Sequence, residues 1–125
     1  MKQYLSLSLT LSLTIGWCGA AFAAGDAVNG AKLYQGKCAA CHSFDENELG
    51  PRHRGVFNRK AGSVSDYSYS AAVKSSGVVW TEANLDKWLA GPEKLIPGQQ
   101  MNVSVPSEQD RLDLIAYLKQ EASKP

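Results

Sequence analysis

Two cysteines and a histidine stand close together in the segment Cys38-Ala39-Ala40-Cys41-His42. Positions i, i+3 and i+4 of a helix lie on one face, so the two thiols and the imidazole would point in one direction. This C-x-x-C-H spacing is the attachment signature of a c-type haem, in which each thiol forms a thioether with one vinyl group. The segment therefore predicts one covalent haem c, bound through Cys38 and Cys41, with His42 as an iron ligand.

Three other chemistries are compatible with two cysteines at this spacing. A redox-active disulfide of the thioredoxin type needs β-α-β units, and no segment alternates clearly enough to predict a strand. A zinc site would need a second pair of ligands, which the sequence does not offer. A structural disulfide between Cys38 and Cys41 would suit an oxidising compartment. Haem binding is favoured over all three, and the thiol interpretation comes second.

Met101 is the second candidate iron ligand. It lies in the segment 96–102, where Pro97 and Gly98 predict a turn that could carry its thioether inward. A histidine and a methionine together stabilise ferrous iron and raise the reduction potential. A methionine in a loop is, by itself, more often a packing residue. In combination with the C-x-x-C-H motif, ligation of the iron by Met101 is favoured.

The first 23 residues are typical of a secretory signal peptide. Lys2 precedes an apolar stretch, and a site of the A-x-A type ends at Ala23. A membrane anchor is less favoured, because the apolar stretch is short and rich in serine and threonine. A lipoprotein signal at Cys18 is disfavoured because a bulky tryptophan precedes it. We therefore expect export to the periplasm, with residues 24–125 as the mature domain and no membrane anchor.

Charges are nearly balanced, with 13 lysines and arginines against 12 acidic residues. Removal of the signal peptide takes Lys2 away and leaves 12 of each sign, so no nucleic-acid partner is expected. A neutral chain also gives no direction of electrostatic steering toward a partner. Five lysines could surround an exposed cofactor edge or could be scattered solvated side chains: Lys32, Lys37, Lys60, Lys74 and Lys87.

The elements that must position these residues are helices separated by long loops. Asp26, Thr81 and Ser107 are predicted N-cap residues. The predicted helices cover residues 27–40, 69–75, 82–90 and 108–120. Loops as long as 43–68 and 92–106 are unusual in a small domain unless they wrap around something. Burying a few hundred Å² of porphyrin at ~25 cal/mol per Å² contributes on the order of 10 kcal/mol, so a haem can serve as the core.

The motifs together resemble the class I c-type cytochromes, near the group of mitochondrial cytochrome c and bacterial cytochrome c2. The resemblance covers nearly the whole mature chain and includes the I-P-G-x-x-M pattern that ends at Met101. Gly30 and Tyr34 match the family's first helix, which packs against Leu114 and Tyr117 of the last helix. The resemblance implies a mainly α fold of three to five helices and long loops around one covalent haem.

The resemblance also implies roles for residues around the haem. Pro51 follows a glycine, as in the family's Gly-Pro pair, whose proline carbonyl accepts the N–H of the histidine ligand. Arg59 stands in the arginine position of a stretch that surrounds the inner propionate. Tyr69 and Trp80 fall where the family has propionate hydrogen-bond donors. These residues complete the predicted cofactor site.

Four positions depart from the family pattern. Gln99 replaces a threonine, Trp88 stands where a tyrosine bonds the methionine sulfur, and Val73 replaces an asparagine that helps to hold a buried water. Each of these changes is expected to leave the haem pocket with fewer hydrogen bonds. His53 occupies the position of an apolar residue that is not a ligand, and we expect a solvated or edge histidine.

The resemblance implies a one-electron carrier rather than an enzyme. Two axial ligands leave the iron without an open site, which suits a carrier. We expect a monomer that meets its donor and acceptor redox proteins in small, transient contacts. The alternative is a haem protein in which a labile Met101 opens the iron to peroxide or gases, as in a peroxidase or a gas sensor.

Overall fold

Five helices and the loops between them make up residues 24–125, the part of the chain that the computed structural model describes. The helices are α1 (Ala27–Lys37), α2 (Ala71–Ser75), α3 (Glu82–Ala90), α4 (Pro92–Leu95) and α5 (Glu108–Ala122). Within this part of the chain, an isolated antiparallel bridge joins Lys60 to Val79, and the predicted mainly α fold is confirmed. None of the five described helices has the length and apolar character needed to span a membrane. The predicted signal peptide, residues 1–23, lies outside the described residues.

The predicted N-cap residues begin their helices as expected. The side chains of Asp26, Thr81 and Ser107 each accept a hydrogen bond from a backbone N–H two or three residues further on, at 2.8 Å, 3.2 Å and 3.2 Å. The first N–H groups of a helix have no partner within it, so such bonds determine where the helix starts. The local sequence signal was therefore sufficient for the starts of α1, α3 and α5.

Some helix boundaries differ from the prediction. Helix α1 ends at Lys37, before the predicted end at residue 40, and α5 continues to Ala122. Helix α4 is absent from the prediction, which treats Gly91-Pro92 as the end of the preceding helix. Proline also suits the first position of a helix, where its missing N–H needs no partner, and Pro92 begins α4 in this way.

Helices α1 and α5 pack against each other at very short range. A Cβ atom at Gly30 would lie 2.0 Å from the carbonyl oxygen of Asp113 and 2.8 Å from Cβ of Tyr117, so glycine alone permits this approach. Tyr34 is 2% exposed, and its ring centroid lies 5.4 Å from that of Tyr117. Leu114 is fully buried in the same cluster. The predicted contact between the first and last helices is confirmed.

A buried carboxylate, which the sequence analysis missed, joins the two helices. Asp113 of α5 accepts hydrogen bonds from the backbone N–H of Asp26 and from the side-chain amides of Asn29 and Gln109, each at 2.8 Å. These three donors lower the pKa of the Asp113 carboxyl, with the Asp26 N–H as the largest cause. The start of α1 is therefore tied to the middle of α5 by a charged group.

Buried apolar side chains form two clusters. The first cluster lies between α1, α3 and α5, and the second lies beside α2 and the loop that follows α4. The first comprises Tyr34, Leu85, Leu89, Val105, Leu114, Ile115 and Leu118, and the second comprises Ala61, Val73 and Ile96. Both clusters contribute side chains to the wall of one cavity.

Candidate functional site

A cavity of about 430 Å³ gathers the residues that the sequence analysis connects with a cofactor. Most of its wall is apolar. The eight predicted site residues all lie on the wall: Cys38, Cys41, His42, Pro51, Arg59, Tyr69, Trp80 and Met101. The fold therefore brings together, around one space, side chains that come from distant parts of the sequence.

The two cysteines lie in the turn that follows α1. Cys38 is the C-cap residue of α1, and the backbone N–H groups of Cys41 and His42 both donate to its carbonyl oxygen, at 3.0 Å and 2.9 Å. Both cysteines are free thiols, and burial raises the pKa of the Cys38 thiol to about 11 although Lys37 opposes the shift. A redox-active thiol needs a lowered pKa, so this environment argues against thiol–disulfide exchange.

The His42 ring is held on two sides. The carbonyl oxygen of Pro51 can only accept, so Nδ1–H of His42 donates to it at 2.8 Å. A Cβ atom at Gly50 would lie 2.1 Å from Cε1 of His42, which shows how closely the backbone approaches the ring. Burial lowers the pKa of His42 and favours the neutral ring, although the bond to Pro51 opposes this shift. The arrangement leaves the lone pair of Nε2 for a metal ligand bond, as a haem requires.

Arg59 carries a donor that needs an acceptor. Its Nη1 and Nη2 donate to the carbonyl oxygens of Arg54 and Arg52, at 2.8 Å and 2.9 Å. Its Nε is buried and has no hydrogen-bond partner among the residues that the structure describes. A buried donor without an acceptor costs about 1–3 kcal/mol, and a carboxylate at the cavity would provide one. This orphaned donor fits a cofactor with a propionate group.

The loop that carries Met101 is held by side chains that sequence reasoning missed. Glu93 of α4 accepts a hydrogen bond from the backbone N–H of Gly98 at 3.0 Å, and Gly98 adopts a φ of +85°, which favours glycine. The amide oxygen of Gln99 accepts a hydrogen bond from the backbone N–H of Met101. Gln99, which replaces a threonine of the family pattern, therefore bonds the backbone of the candidate ligand.

A tyrosine and two tryptophans also line the cavity. The hydroxyl oxygen of Tyr69 accepts the backbone N–H of Val64 at 3.4 Å, and burial raises the pKa of this hydroxyl. Tyr69 is therefore protonated at neutral pH and can donate to a carboxylate. The rings of Trp80 and Trp88 meet edge to face, with centroids 5.2 Å apart. Trp88, one of the departures from the family pattern, also lies on the cavity wall.

His53 is partly exposed and lies on the cavity wall. It stacks on the His42 ring, with centroids 4.2 Å apart and planes 20° apart, and its Nδ1 lies 3.0 Å from the Tyr34 hydroxyl. Burial, with His42 and Arg59 as neighbours, holds the pKa of His53 well below its usual value. Of the predicted solvated or edge positions, the structure shows an edge position, in which the partly exposed ring contacts a partner 19 residues away.

The five candidate lysines are all exposed. Lys37 lies on the cavity wall, next to the attachment motif, whereas Lys32, Lys60, Lys74 and Lys87 do not. Of the five, Lys37 is therefore the one that adjoins the candidate site.

Comparisons with known proteins agree with this geometry. The family model described as "Cytochrome c" matches residues 27–122. The cytochrome c of Theileria parva is 46% identical over 104 residues, which cover 80% of this chain and 90% of that protein. The cytochrome c of Cochliobolus lunatus is 42% identical over 104 residues, covering 80% and 96%. The solved structure of cytochrome cH from Methylobacterium extorquens matches with a TM-score of 0.74 and 41% identity, covering 78% of this chain and all of that one.

Proposed function

The chain belongs to the cytochrome c family of electron carriers, and on that premise we propose a periplasmic one-electron carrier with His42 and Met101 as axial haem ligands. As in the family, one haem c is bound covalently through Cys38 and Cys41. The bound haem supplies a one-electron centre, because its iron exchanges between Fe(II) and Fe(III). All other contributions come from the side chains around it.

The observation that carries the proposal is that His42 and Met101 both line the same cavity. The bond from Nδ1–H of His42 to the Pro51 carbonyl orients the imidazole and leaves Nε2 as the ligand atom. The bond between Gln99 and the backbone of Met101 restricts the loop from which the thioether extends. A carrier benefits from ligands that stay in place, since a small rearrangement on reduction favours fast electron exchange.

Arg59, Tyr69 and Trp80 are proposed to bind the haem propionates. The orphaned Nε of Arg59 provides a cation at the cavity wall, and a buried carboxylate needs such a partner. The protonated Tyr69 hydroxyl adds a neutral donor. Together these groups would hold the charged edge of the haem while the apolar wall excludes water from the rest.

The alternative, a peroxidase or gas sensor, requires that Met101 leaves the iron readily. Two contacts oppose this movement, the Gln99 bond to Met101 and the Glu93 bond to the backbone of Gly98. Carbon monoxide binds only to reduced iron with an open position, so it separates the two functions. A carrier takes up little carbon monoxide, whereas immediate stoichiometric uptake by the reduced wild-type protein would favour the alternative.

Substitution of Met101 tests the proposed ligation. Met101→Ala removes a soft ligand that stabilises ferrous iron, so we expect the equilibrium constant for reduction to fall by more than tenfold, which is about 59 mV for a one-electron couple. The reduced variant is also expected to bind one carbon monoxide per haem. Redox potentiometry and carbon monoxide titration of the exported holoprotein measure both effects.

Ser104→Ala is the matched control, because Ser104 is exposed in the same loop and does not line the cavity. We expect this variant to keep the wild-type potential and spectrum. An unchanged potential and spectrum in Met101→Ala would instead show that Met101 is not the ligand.

The proposed location and partners follow from the sequence features. The signal-like residues 1–23 support export, and a mature chain of balanced charge supports weak, short-lived contacts with donor and acceptor redox proteins. Fractionation of cells that express the full chain checks the location. Haem-containing protein of the mass expected for residues 24–125 plus one haem should be found in the periplasmic fraction, and its retention in the cytoplasm would refute this part of the proposal.

A further inference from the structure

The face of the His42 ring is covered by a second imidazole. His53 lies parallel to His42, with a centroid separation of 4.2 Å and an angle of 20° between the planes. At this separation the two nearly parallel rings are in direct contact. The Pro51 carbonyl fixes one nitrogen of His42, and the Gly50 backbone limits one edge. A single hydrogen bond still allows the ring plane to tilt, whereas a contact on the face of the ring opposes that tilt.

The position of His53 is itself determined by the α1–α5 core. Its Nδ1 lies within hydrogen-bond distance of the Tyr34 hydroxyl, at 3.0 Å, and its backbone N–H donates to the carbonyl of Ser43 at 3.0 Å. Tyr34 is 2% exposed and packs on Phe44, with centroids 5.0 Å apart, and on Tyr117. The chain of contacts runs from the helix interface through Tyr34 and His53 to His42.

We propose that His53 is a positioning residue that sets the plane of the His42 ring, and that the Tyr34 hydroxyl holds His53 in place. This inference rests on the proposed ligation of iron by His42. The orientation and the surroundings of a ligating histidine tune the metal that it binds. His53 therefore adjusts the reduction potential without touching the iron.

The direction of the effect follows from polarity. The imidazole of His53 presents a polar ring to the face of the ligand. A polar wall stabilises the oxidised, more highly charged state of the site more than an apolar wall does. Replacement of His53 by an apolar residue should therefore favour the reduced state and raise the potential.

The experiment uses the exported holoprotein with its haem attached. In His53→Leu we expect the equilibrium constant for reduction to rise about threefold, which corresponds to about 28 mV at 59 mV per tenfold change. We also expect the paramagnetically shifted NMR signals of the His42 ring to move. Tyr34→Phe keeps the ring packing but removes the hydroxyl, so it should move the same signals in the same direction by a smaller amount.

Tyr117→Phe is the matched control, because it removes a hydroxyl at the same helix interface without touching His53. It should leave the His42 signals and the potential at their wild-type values. If His53→Leu and Tyr34→Phe also leave both quantities unchanged, even with lower thermal stability, the inference is overturned and His53 only fills space. Should His53→Leu fail to mature, Tyr34→Phe decides the question by itself through the His42 signals.

The ligation of the wild-type protein distinguishes a failure of this inference from a failure of the proposed function. If Met101→Ala shows that the wild type lacks the expected methionine ligand, the proposed function fails whatever His53 does. If the wild-type ligation is as proposed and the His42 signals ignore His53 and Tyr34, only the inference about His53 fails.

Discussion

The guanidinium group of Arg59 binds two backbone carbonyls and also carries a buried donor that has no partner among the described residues. Two of its nitrogens bond the carbonyls of Arg52 and Arg54, and the third is the buried donor. Arg59→Lys keeps the charge, but one ammonium group cannot reproduce the planar guanidinium fork. We expect a loss of about 2 kcal/mol in the free energy of unfolding, measured by denaturant titration of the holoprotein.

Arg52→Lys provides the comparison for this prediction. Arg52 forms an ion pair with Asp66 at 2.7 Å, and the Asp66 side chain is 61% exposed. Exposed ion pairs contribute little, so this variant should lose less than about 1 kcal/mol. Equal losses in the two variants would show that the fork of Arg59 has no special role.

Residue types with a local pattern were predicted well from the sequence, and those with distant partners were not. The attachment segment 38–42 is recognisable because its two cysteines and histidine lie within five consecutive residues, which fold as a single turn. The contacts of His53 and Gln99 could not be predicted in this way, because they depend on Tyr34 and on the conformation of the Met101 loop. A family pattern shows that the residue type at such a position differs from the usual one, but only the fold shows which contacts the new side chain makes.

At the scale of elements, the crossing of α1 and α5 depends on Gly30. A Cβ atom there would meet the backbone of Asp113 at 2.0 Å, and backbone cannot move aside as a side chain can. Gly30→Ala is therefore expected to lower the free energy of unfolding by about 3 kcal/mol. Gly36→Ala in the same helix meets nothing within 4 Å, and alanine there should stabilise the protein by about 0.5–1 kcal/mol. Opposite signs in denaturant titrations would confirm this, and two similar values would contradict it.

The bonds of Asp113 make the same helix pair sensitive to acid. Three donors lower the pKa of its carboxyl in the folded state, led by the backbone N–H of Asp26. A lowered folded-state pKa stabilises the protein above the unfolded value of about 3.9, and this contribution is lost as the pH falls through the folded value. Asp113→Asn should therefore melt at a lower temperature than the wild type at pH 7, with a gap that narrows below about pH 4. A gap that stays constant down to pH 3 would contradict this assignment.

The starts of α1, α3 and α5 could be predicted because a cap is a contact between residues two or three apart. Helix α4 was missed because the same dipeptide, Gly91-Pro92, can end one helix and begin another. Asp113 was missed because its partners on α1 lie 84 and 87 residues away, and nothing in the local pattern separates it from an exposed acidic residue. Local signals therefore predict elements, whereas long-range polar contacts have to be observed.

At the scale of the whole molecule, the cofactor is part of the core. Side chains of both apolar clusters line a cavity of about 430 Å³. Burying a few hundred Å² of porphyrin against this wall, at ~25 cal/mol per Å², contributes on the order of 10 kcal/mol. That is as large as the whole stability of a typical domain, about 5–15 kcal/mol.

The chain without haem is therefore expected to lose this fold. Protein made in cells that lack haem attachment should give a narrow spread of amide chemical shifts in NMR spectra and no cooperative thermal transition. The holoprotein should give a wide spread of amide shifts and a sharp thermal transition. The helix pair α1–α5 is the part most able to persist, because its contacts at Gly30 and Asp113 do not involve the cavity. A haem-free chain that unfolds cooperatively at the temperature of the holoprotein would show that the clusters can pack without the cofactor, and it would refute the view that the haem acts as the core.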